Sequence, residues 1–326
     1  MGDAAPHANT RPAGSHAMIF PAPLLLAPMA GVADAEFRAL CRMHGCRGAY
    51  TEMVSAKGLT LSAKGSAQLL RHEGGWLAVQ LFGHEPEVVG QAARMVADMG
   101  FDALDLNMGC PVPKVVRAGE GSALMRTPHL AARLVRAAVG CGLPVTVKLR
   151  TGWDDTSRNF LQVANACVEE GAQAVCLHGR TRAQGYAGKA DWQAIAELAV
   201  ELDVPVLASG DVWAAQDVRD LLDLGCAAVM AARGALGNPW IFRDFETLQR
   251  GETPLPVTAA QRREAALWLV QAVQAAQGTG ALPAVRKHAA WMIKGLPGAA
   301  ATRQKLWRAN SYQDFEVILC EWESSL

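Results

Sequence analysis

The segment Asn107-Met108-Gly109-Cys110-Pro111-Val112-Pro113-Lys114 is the most unusual in the chain: Gly109 and two prolines fix the backbone and hold the thiol of Cys110 outside regular structure. Most cysteines are small buried hydrophobes, and Cys41, Cys46, Cys141, Cys167, Cys176, Cys226 and Cys320 are read that way. Cys110, between rigid turns, is read as reactive. A nucleophilic thiolate needs a partner that lowers its pKa. A thiol acting as general acid needs only to keep its proton, as one with a pKa of about 8.5 does at neutral pH. From the residues alone both roles stay open.

Other polar residues close short apolar runs. Gln80, Asn107, Lys148 and His178 each follow or end such a run. One such residue is commonly structural, but four at equivalent positions point to a shared site. An unpartnered Lys148 is costly to bury, so an anionic or electron-rich ligand is expected beside it. Ser209-Gly210-Asp211 and Arg233-Gly234 add a second feature. Small residues let backbone N–H groups approach an anion, and arginine supplies a bidentate fork, so this pair reads as a phosphate cradle. The plain alternative is two glycine turns, with Asp211 capping a helix.

The elements that position these residues follow from a repeat. β-rich runs recur at Leu24–Ala27, Ala49–Met53, Leu77–Leu81, Ala103–Asn107, Val145–Leu149, Ala174–His178, Val206–Ser209 and Ala227–Ala231, with amphipathic stretches such as Glu85–Met99 and Asp211–Leu224 between them. Gly100, Gly171 and Gly225 close several of these stretches, as helix-ending glycines do. The spacing is roughly 30 residues per strand–helix unit, the size of a βαβ repeat. Eight units predict an α/β fold, a TIM (β/α)8 barrel, whose chemistry gathers at the C-terminal ends of its strands. A doubly wound open sheet is the structural alternative. After Phe245 the pattern changes. Gly251–Pro256 reads as a linker, and Thr258 with Gln261 forms a capping box that opens a helix to about Gln277. Further helices are expected near 283–294, 299–309 and 311–324. The expected division is a disordered leader at 1–17, a barrel at 18–250 and an all-helical domain at 251–326.

Composition bounds the function. The chain has 326 residues, 51% of them apolar and 19% charged, which excludes wholesale disorder. Thirty-one basic residues balance 31 acidic ones, which excludes a uniformly basic nucleic-acid coat while allowing a local patch. The tail has one: from Ala265 to Gln313 there is no acidic residue, yet Arg286, Lys287, Lys294, Arg303, Lys305 and Arg308 fall there, interleaved with Trp291 and Trp307. Alone, this reads equally as a solvated helical face or as a nucleic-acid grip. No C-x-x-C pair is present and the cysteines are scattered, so neither a metal centre nor a disulfide scaffold is expected, and the compartment reads as reducing and cytoplasmic. No apolar run is long enough for a membrane span.

These motifs together resemble the tRNA-dihydrouridine synthase family, closest to its bacterial DusB-like branch. The matching segments are Leu26-Ala-Pro-Met-Ala-Gly-Val-Ala-Asp34, Gln80-Leu-Phe-Gly83, Asp105–Lys114, Val147-Lys-Leu-Arg-Thr-Gly-Trp153, His178-Gly-Arg-Thr-Arg182 with Tyr186, and Arg233–Trp240; in the tail, Arg286-Lys-His288 and Lys294-Gly-Leu-Pro297 also fit. The resemblance runs from Met18 to the C-terminus. It implies FMN in the barrel mouth, NADPH as reductant and uridine in tRNA as substrate. Pro28, Met29, Gln80, Lys148, His178, Ser209, Gly210, Asp211, Arg233 and Gly234 would hold FMN. Cys110 would be the catalytic acid, and Asn107, Arg150 and Tyr186 would lie near a flipped uracil. Arg286, Lys287, Lys294 and Arg303 would grip tRNA, and the enzyme would act as a monomer without metal. Two positions depart from the family. Ser209 stands where asparagine is common and Ala232 where glycine is common, and both touch the FMN grip. Rival readings are another FMN barrel, such as a dihydroorotate dehydrogenase or an ene-reductase, and an RNA-binding protein that has lost its cofactor.

Overall fold

Each β-rich run becomes a strand because branched and apolar side chains fill both faces of a buried parallel sheet. In the computed structural model, which describes residues 19–326, these are β1 (Leu24–Leu26), β2 (Gly48–Ser55), β3 (Trp76–Phe82), β4 (Ala103–Asn107), β5 (Val145–Arg150), β6 (Ala174–His178), β7 (Val206–Ser209) and β8 (Ala228–Ala231). They run parallel in chain order and close into a barrel, with β8 paired back onto β1. The open sheet is thereby excluded. The leader expected at residues 1–17 lies outside the described residues.

Alternation along the strands divides the core. One set of side chains, including Leu24, Leu26, Leu77, Val79, Leu104, Leu106, Val147, Val175 and Val229, packs outward against the surrounding helices. The other set fills the barrel: Leu25, Tyr50, Ala78, Ala103, Ala174, Cys176, Leu207, Ala228 and Met230. Each fully buried Leu or Val is worth about 1.5–3 kcal/mol over an exposed one. The same inward phase then turns polar toward the C-terminal ends. Ala78 is followed by Gln80, Ala103 by Asp105 and Asn107, Cys176 by His178, and Leu207 by Ser209.

The helical stretches stand close to where expected, at Pro86–Asp98 for the one after β3, and Gly100, Gly171 and Gly225 have left-handed φ. One start differs. The helix after β7 begins at Ala215, not Asp211, because the Asp217 carboxylate accepts from the N–H groups of Trp213 and Ala214 and caps it there. β2 is longer than expected, with a register shift between Tyr50 and Met53 that turns Met53 toward the barrel mouth. Beyond a helix at Ile241–Gln249, the tail has helices at Ala259–Gln277, Leu282–Met292, Ala299–Leu306 and Tyr312–Ser324. The first opens on the expected capping box: Thr258 Oγ1 accepts from Gln261 N–H (3.2 Å), and the Gln261 side chain accepts from Thr258 N–H (2.9 Å). No helix among the described residues is long and apolar enough to cross a membrane.

Tail and barrel meet at backbone level. Gly237, just past β8, has φ +68°, and a Cβ there would sit 2.1 Å from the Trp291 carbonyl oxygen. Arg262, on the first tail helix, donates to the carbonyls of both Gly237 and Met292, at 3.1 Å each. On the other side, Lys287 Nζ donates to the Gly31 carbonyl and Gly31 N–H donates to Glu52. A side chain at 237 therefore meets both a strained φ and immovable main chain. Gly237→Ala is expected to cost at least 1–3 kcal/mol, the usual price of such backbone strain, read as a lower urea midpoint; an unchanged midpoint would show that the tail can shift away freely.

Candidate active site

The polar ends of the strands surround a cavity of about 380 Å³ at the barrel mouth. Its wall takes Pro28 and Met29 from the β1 loop, Met53 from β2, Gln80 from β3, Asn107 from β4, Lys148 and Arg150 from β5, His178 from β6 and Ser209 from β7. Gly210, Asp211, Trp213, Ala232 and Arg233 continue it, Cys110 and Tyr186 reach it from loops, and Trp291 comes from the tail. Parallel register sets this ring. Gln80 is level with Asp105, Asp105 with Thr146, Asn107 with Lys148, Arg150 with His178, and His178 with Ser209.

On the Cys110 side, a hydrogen-bonded ladder rises from the barrel interior. Asp105 accepts from Thr146 Oγ1 and Gln80 Nε2, both at 2.6 Å. Gln80 Oε1 accepts from Asn107 Nδ2 at 2.7 Å, and Asn107 Oδ1 accepts from the N–H groups of Gly109 (3.2 Å) and Cys110 (2.9 Å). Burial pushes the Asp105 carboxyl up to about 6, against the pull of Thr146, Gln80 and Lys148. Ser122 closes the loop from behind, its N–H and hydroxyl both donating to the Cys110 carbonyl.

Arg150, expected near a substrate base, lines the cavity and also braces the loops. It is 2% exposed, and its guanidinium donates to the carbonyls of Gly109 (2.7 Å), Thr181 and Gly185 (both 2.9 Å). It thus ties the Cys110 loop to the loop that carries Tyr186. Burial raises the Cys110 thiol above its ordinary pKa, although the Val112 N–H and the charges of Arg150 and Lys148 pull the other way. The thiol therefore stays protonated at neutral pH. Of the two roles left open by the sequence, proton donor fits this environment and activated nucleophile does not.

The β7–β8 side is cationic. Asp211 is not a helix cap. It has φ +55°, and its carboxylate accepts from Arg180 (2.7 and 2.9 Å), from Ala190 N–H (2.8 Å) and from Arg233 (3.2 Å). Burial works against ionisation there, but the Ala190 and Arg180 hydrogen bonds outweigh it and hold the carboxyl below its usual range. Asp211 thus aims Arg233, whose guanidinium lies between the Trp213 ring (4.8 Å) and the Tyr186 ring (5.0 Å). Burial, reinforced by Lys148, Arg150, Arg180 and Arg233, drives His178 well below its ordinary value, so its imidazole is neutral. Lys148 Nζ reaches Ser209 Oγ at 3.4 Å. Gly210 is required here, with φ +110° and a Cβ that would meet His178 and Ala190 within 2.9 Å. Gly234 lies behind the wall, where a Cβ would sit 2.0 Å from the Val212 carbonyl oxygen.

The expected tail cations separate into two groups. Lys294, Arg303 and Arg308 are exposed and have no ion-pair partner among the described residues. Arg286 is bound to the Ala309 carbonyl and Asn310, Lys287 to Gly31, and Lys305 to Glu321. Sequence reasoning did not single out Met53, Trp213, Arg180 or Asp105 as individual functional residues. Alternation two residues before Asn107 was the available signal for Asp105; the others depend on loop paths that no local pattern shows.

A family model described as Dihydrouridine synthase (Dus) matches residues 25–324. The chain is 38% identical over 294 residues to tRNA-dihydrouridine synthase B of Xanthomonas axonopodis pv. citri, covering 88% of this chain and 89% of the relative. It is 35% identical over 287 residues to tRNA-dihydrouridine synthase B of Pasteurella multocida, covering 86% of each.

The thiol environment can be tested directly. Alkylation needs thiolate, and a raised pKa lowers the thiolate fraction at any pH below it. Iodoacetamide should label Cys110 more slowly than a free thiol such as glutathione at pH 7–8, with the rate rising about tenfold per pH unit into the alkaline range. Labelling faster than glutathione at pH 7 would mark an activated nucleophile instead.

Proposed function

The chain belongs to the dihydrouridine synthase family, and on that premise we propose that it reduces the C5=C6 bond of uridines in tRNA, with FMN bound in the barrel mouth and NADPH as reductant. The observation that carries this reading is the half-buried, protonated Cys110 thiol held at the edge of a cavity lined with hydrogen-bond donors.

The residues present suit FMN. Bare backbone at Gly210 and the Arg233 fork suit a phosphate, as do the neighbouring rings that hold Arg233 in place. Gln80, Lys148 and the neutral His178 suit the carbonyl- and nitrogen-rich edge of a flavin, and Met29 and Met53 supply soft apolar contact. Asp211 acts through Arg233, and Gly234 lets the β8 loop close over Val212. Ser209 keeps an oxygen beside Lys148 in place of the family's amide, and Ala232 adds a methyl to the wall, so FMN is held more loosely than in relatives with asparagine and glycine there. Bound at this site and reduced by NADPH, FMN would supply the hydride for uracil C6.

The chain's own groups do the rest. Cys110 donates its proton to C5 from the opposite side of the base, a role that needs a thiol still protonated at neutral pH, as burial keeps this one. Lys148 stabilises negative charge that develops beside it. Arg150 holds the Cys110 and Tyr186 loops in one frame around the base, and Asn107 fixes the Cys110 main chain. A uridine stacked in folded RNA must swing out to enter such a cavity. Residues 251–326, through the unpaired Lys294, Arg303 and Arg308, hold the phosphate backbone, while Arg286 and Lys287 shape and anchor that surface. The protein acts as a monomer in the cytoplasm, where its eight free cysteines stay reduced.

Cys110→Ala is expected to take up FMN and allow its reduction by NADPH, yet to form no dihydrouridine on unmodified tRNA, measured by nucleoside mass spectrometry. Product at the wild-type rate would remove Cys110 from the proton-donor role, and wild-type protein that takes up no FMN on titration would remove the whole reading. Lys294→Glu should weaken tRNA binding more at low salt than at high salt, because phosphate contacts release counterions; equal weakening at both would place Lys294 away from the RNA backbone.

A further inference from the structure

The ladder beneath Cys110 has a direction. Asp105 is fully buried on β4, and an ionised carboxylate only accepts hydrogen bonds. One oxygen takes the Thr146 hydroxyl and the other takes Gln80 Nε2. Gln80 must therefore turn its NH2 toward Asp105, which leaves Oε1 for Asn107 Nδ2. Asn107 must then turn Oδ1 toward the N–H groups of Gly109 and Cys110. The two ends of a carboxamide have nearly the same shape, so packing alone does not choose between them. The acceptor-only group at the base makes the choice for both.

We propose that Asp105 is a positioning residue that sets the polarity of Gln80 and Asn107, so that this wall offers N–H donors to the cavity and holds the Cys110 main chain by a carbonyl oxygen.

Both amide oxygens accept inside the ladder, Asn107 Oδ1 from two N–H groups and Gln80 Oε1 from one. The amide hydrogens that remain for a ligand are one N–H of Gln80 and one of Asn107, the latter shared only with Met53 sulfur at 3.8 Å. With Lys148 beside them, these groups select a ligand edge made of acceptors, such as the carbonyls of a flavin or of a uracil. A reversed ladder would show lone pairs to the same edge and turn an NH2 against the Gly109 and Cys110 N–H groups, loosening the loop. The ligand part of this inference rests on the FMN reading above; the loop part does not.

Two variants of the same contact separate polarity from packing. Asp105→Asn keeps the size but makes the base both donor and acceptor, so the amides can sit either way. Thr146→Val removes a hydrogen bond to the same carboxylate, and at pH 9, where both measurements are made, leaves it ionised and acceptor-only. In apoprotein at pH 9, iodoacetamide labelling of Cys110, mapped by mass spectrometry, should quicken about 3- to 10-fold in Asp105→Asn, the worth of one net hydrogen bond, and stay unchanged in Thr146→Val. In FMN-loaded protein at the same pH, the flavin midpoint potential should fall by about 30 mV in Asp105→Asn, a tenfold loss in relative affinity for the reduced form of a two-electron couple, and hold in Thr146→Val. Should Asp105→Asn fail to fold, Gln80→Met keeps the bulk but removes the link between Asp105 and Asn107, and should quicken labelling in the same way. The proposal is overturned if the two site-105 and site-146 variants behave alike, whether both shift or both match wild type, or if Gln80→Met labels at the wild-type rate. A protein that binds no FMN would yield no potential and would sink the FMN reading, while the apoprotein labelling would still decide the role of Asp105.

Discussion

Closure of the parallel ring is the constraint on which everything else depends. Because β8 pairs with β1, no strand can slip without breaking bonds on both sides, and every inward side chain is held at a known level. That places Gln80, Asp105, Thr146, Asn107, Lys148, His178 and Ser209 in adjoining rows near one rim. The apolar fill below them, from Leu25 to Met230, keeps water out of the lower barrel. Groups near it therefore interact in a medium of low polarity, where hydrogen bonds and charges count for more than in water.

Charge is arranged unevenly around that rim. Lys148, Arg150, Arg180 and Arg233 outnumber Asp105 and Asp211, and each carboxylate is committed to neighbours inside the wall. The surplus suits a ligand that brings anionic or carbonyl oxygens. Burial, reinforced by these cations, keeps His178 neutral, since an added positive charge would join several others. At Cys110 the same cations favour thiolate, but burial is the larger influence and the thiol keeps its hydrogen. Where the loop places it, this cysteine is a reluctant nucleophile that keeps its hydrogen at neutral pH.

Much of this was legible in order along the chain. The eight strands follow from β-rich runs at a steady interval, and the Gly-Cys-Pro turn marks Cys110 as exceptional without any structure. Relations across the ring were not legible. Asp105 sits in an ordinary Leu-Asp-Leu-Asn run, and its partners Gln80 and Thr146 lie on neighbouring strands, so only register joins them. Asp211 looked like a cap because a helix follows; the Asp217 carboxylate took that task and freed Asp211 to bind arginines. Lys287 belongs to a basic run in sequence, yet its amine meets the Gly31 carbonyl because the tail folds back over the β1 loop. Local composition records what a side chain is, and packing decides which of its partners is within reach.

Trp291 belongs to the tail and yet forms part of the cavity wall, with its carbonyl in the space that any side chain at 237 would need. The two parts of this protein are therefore not interchangeable modules. A tail grafted from a relative would carry its own residue into the cavity wall. Sequence change in the tail must accordingly proceed with matched changes in the cavity lining, rather than by drift in an independent appendage.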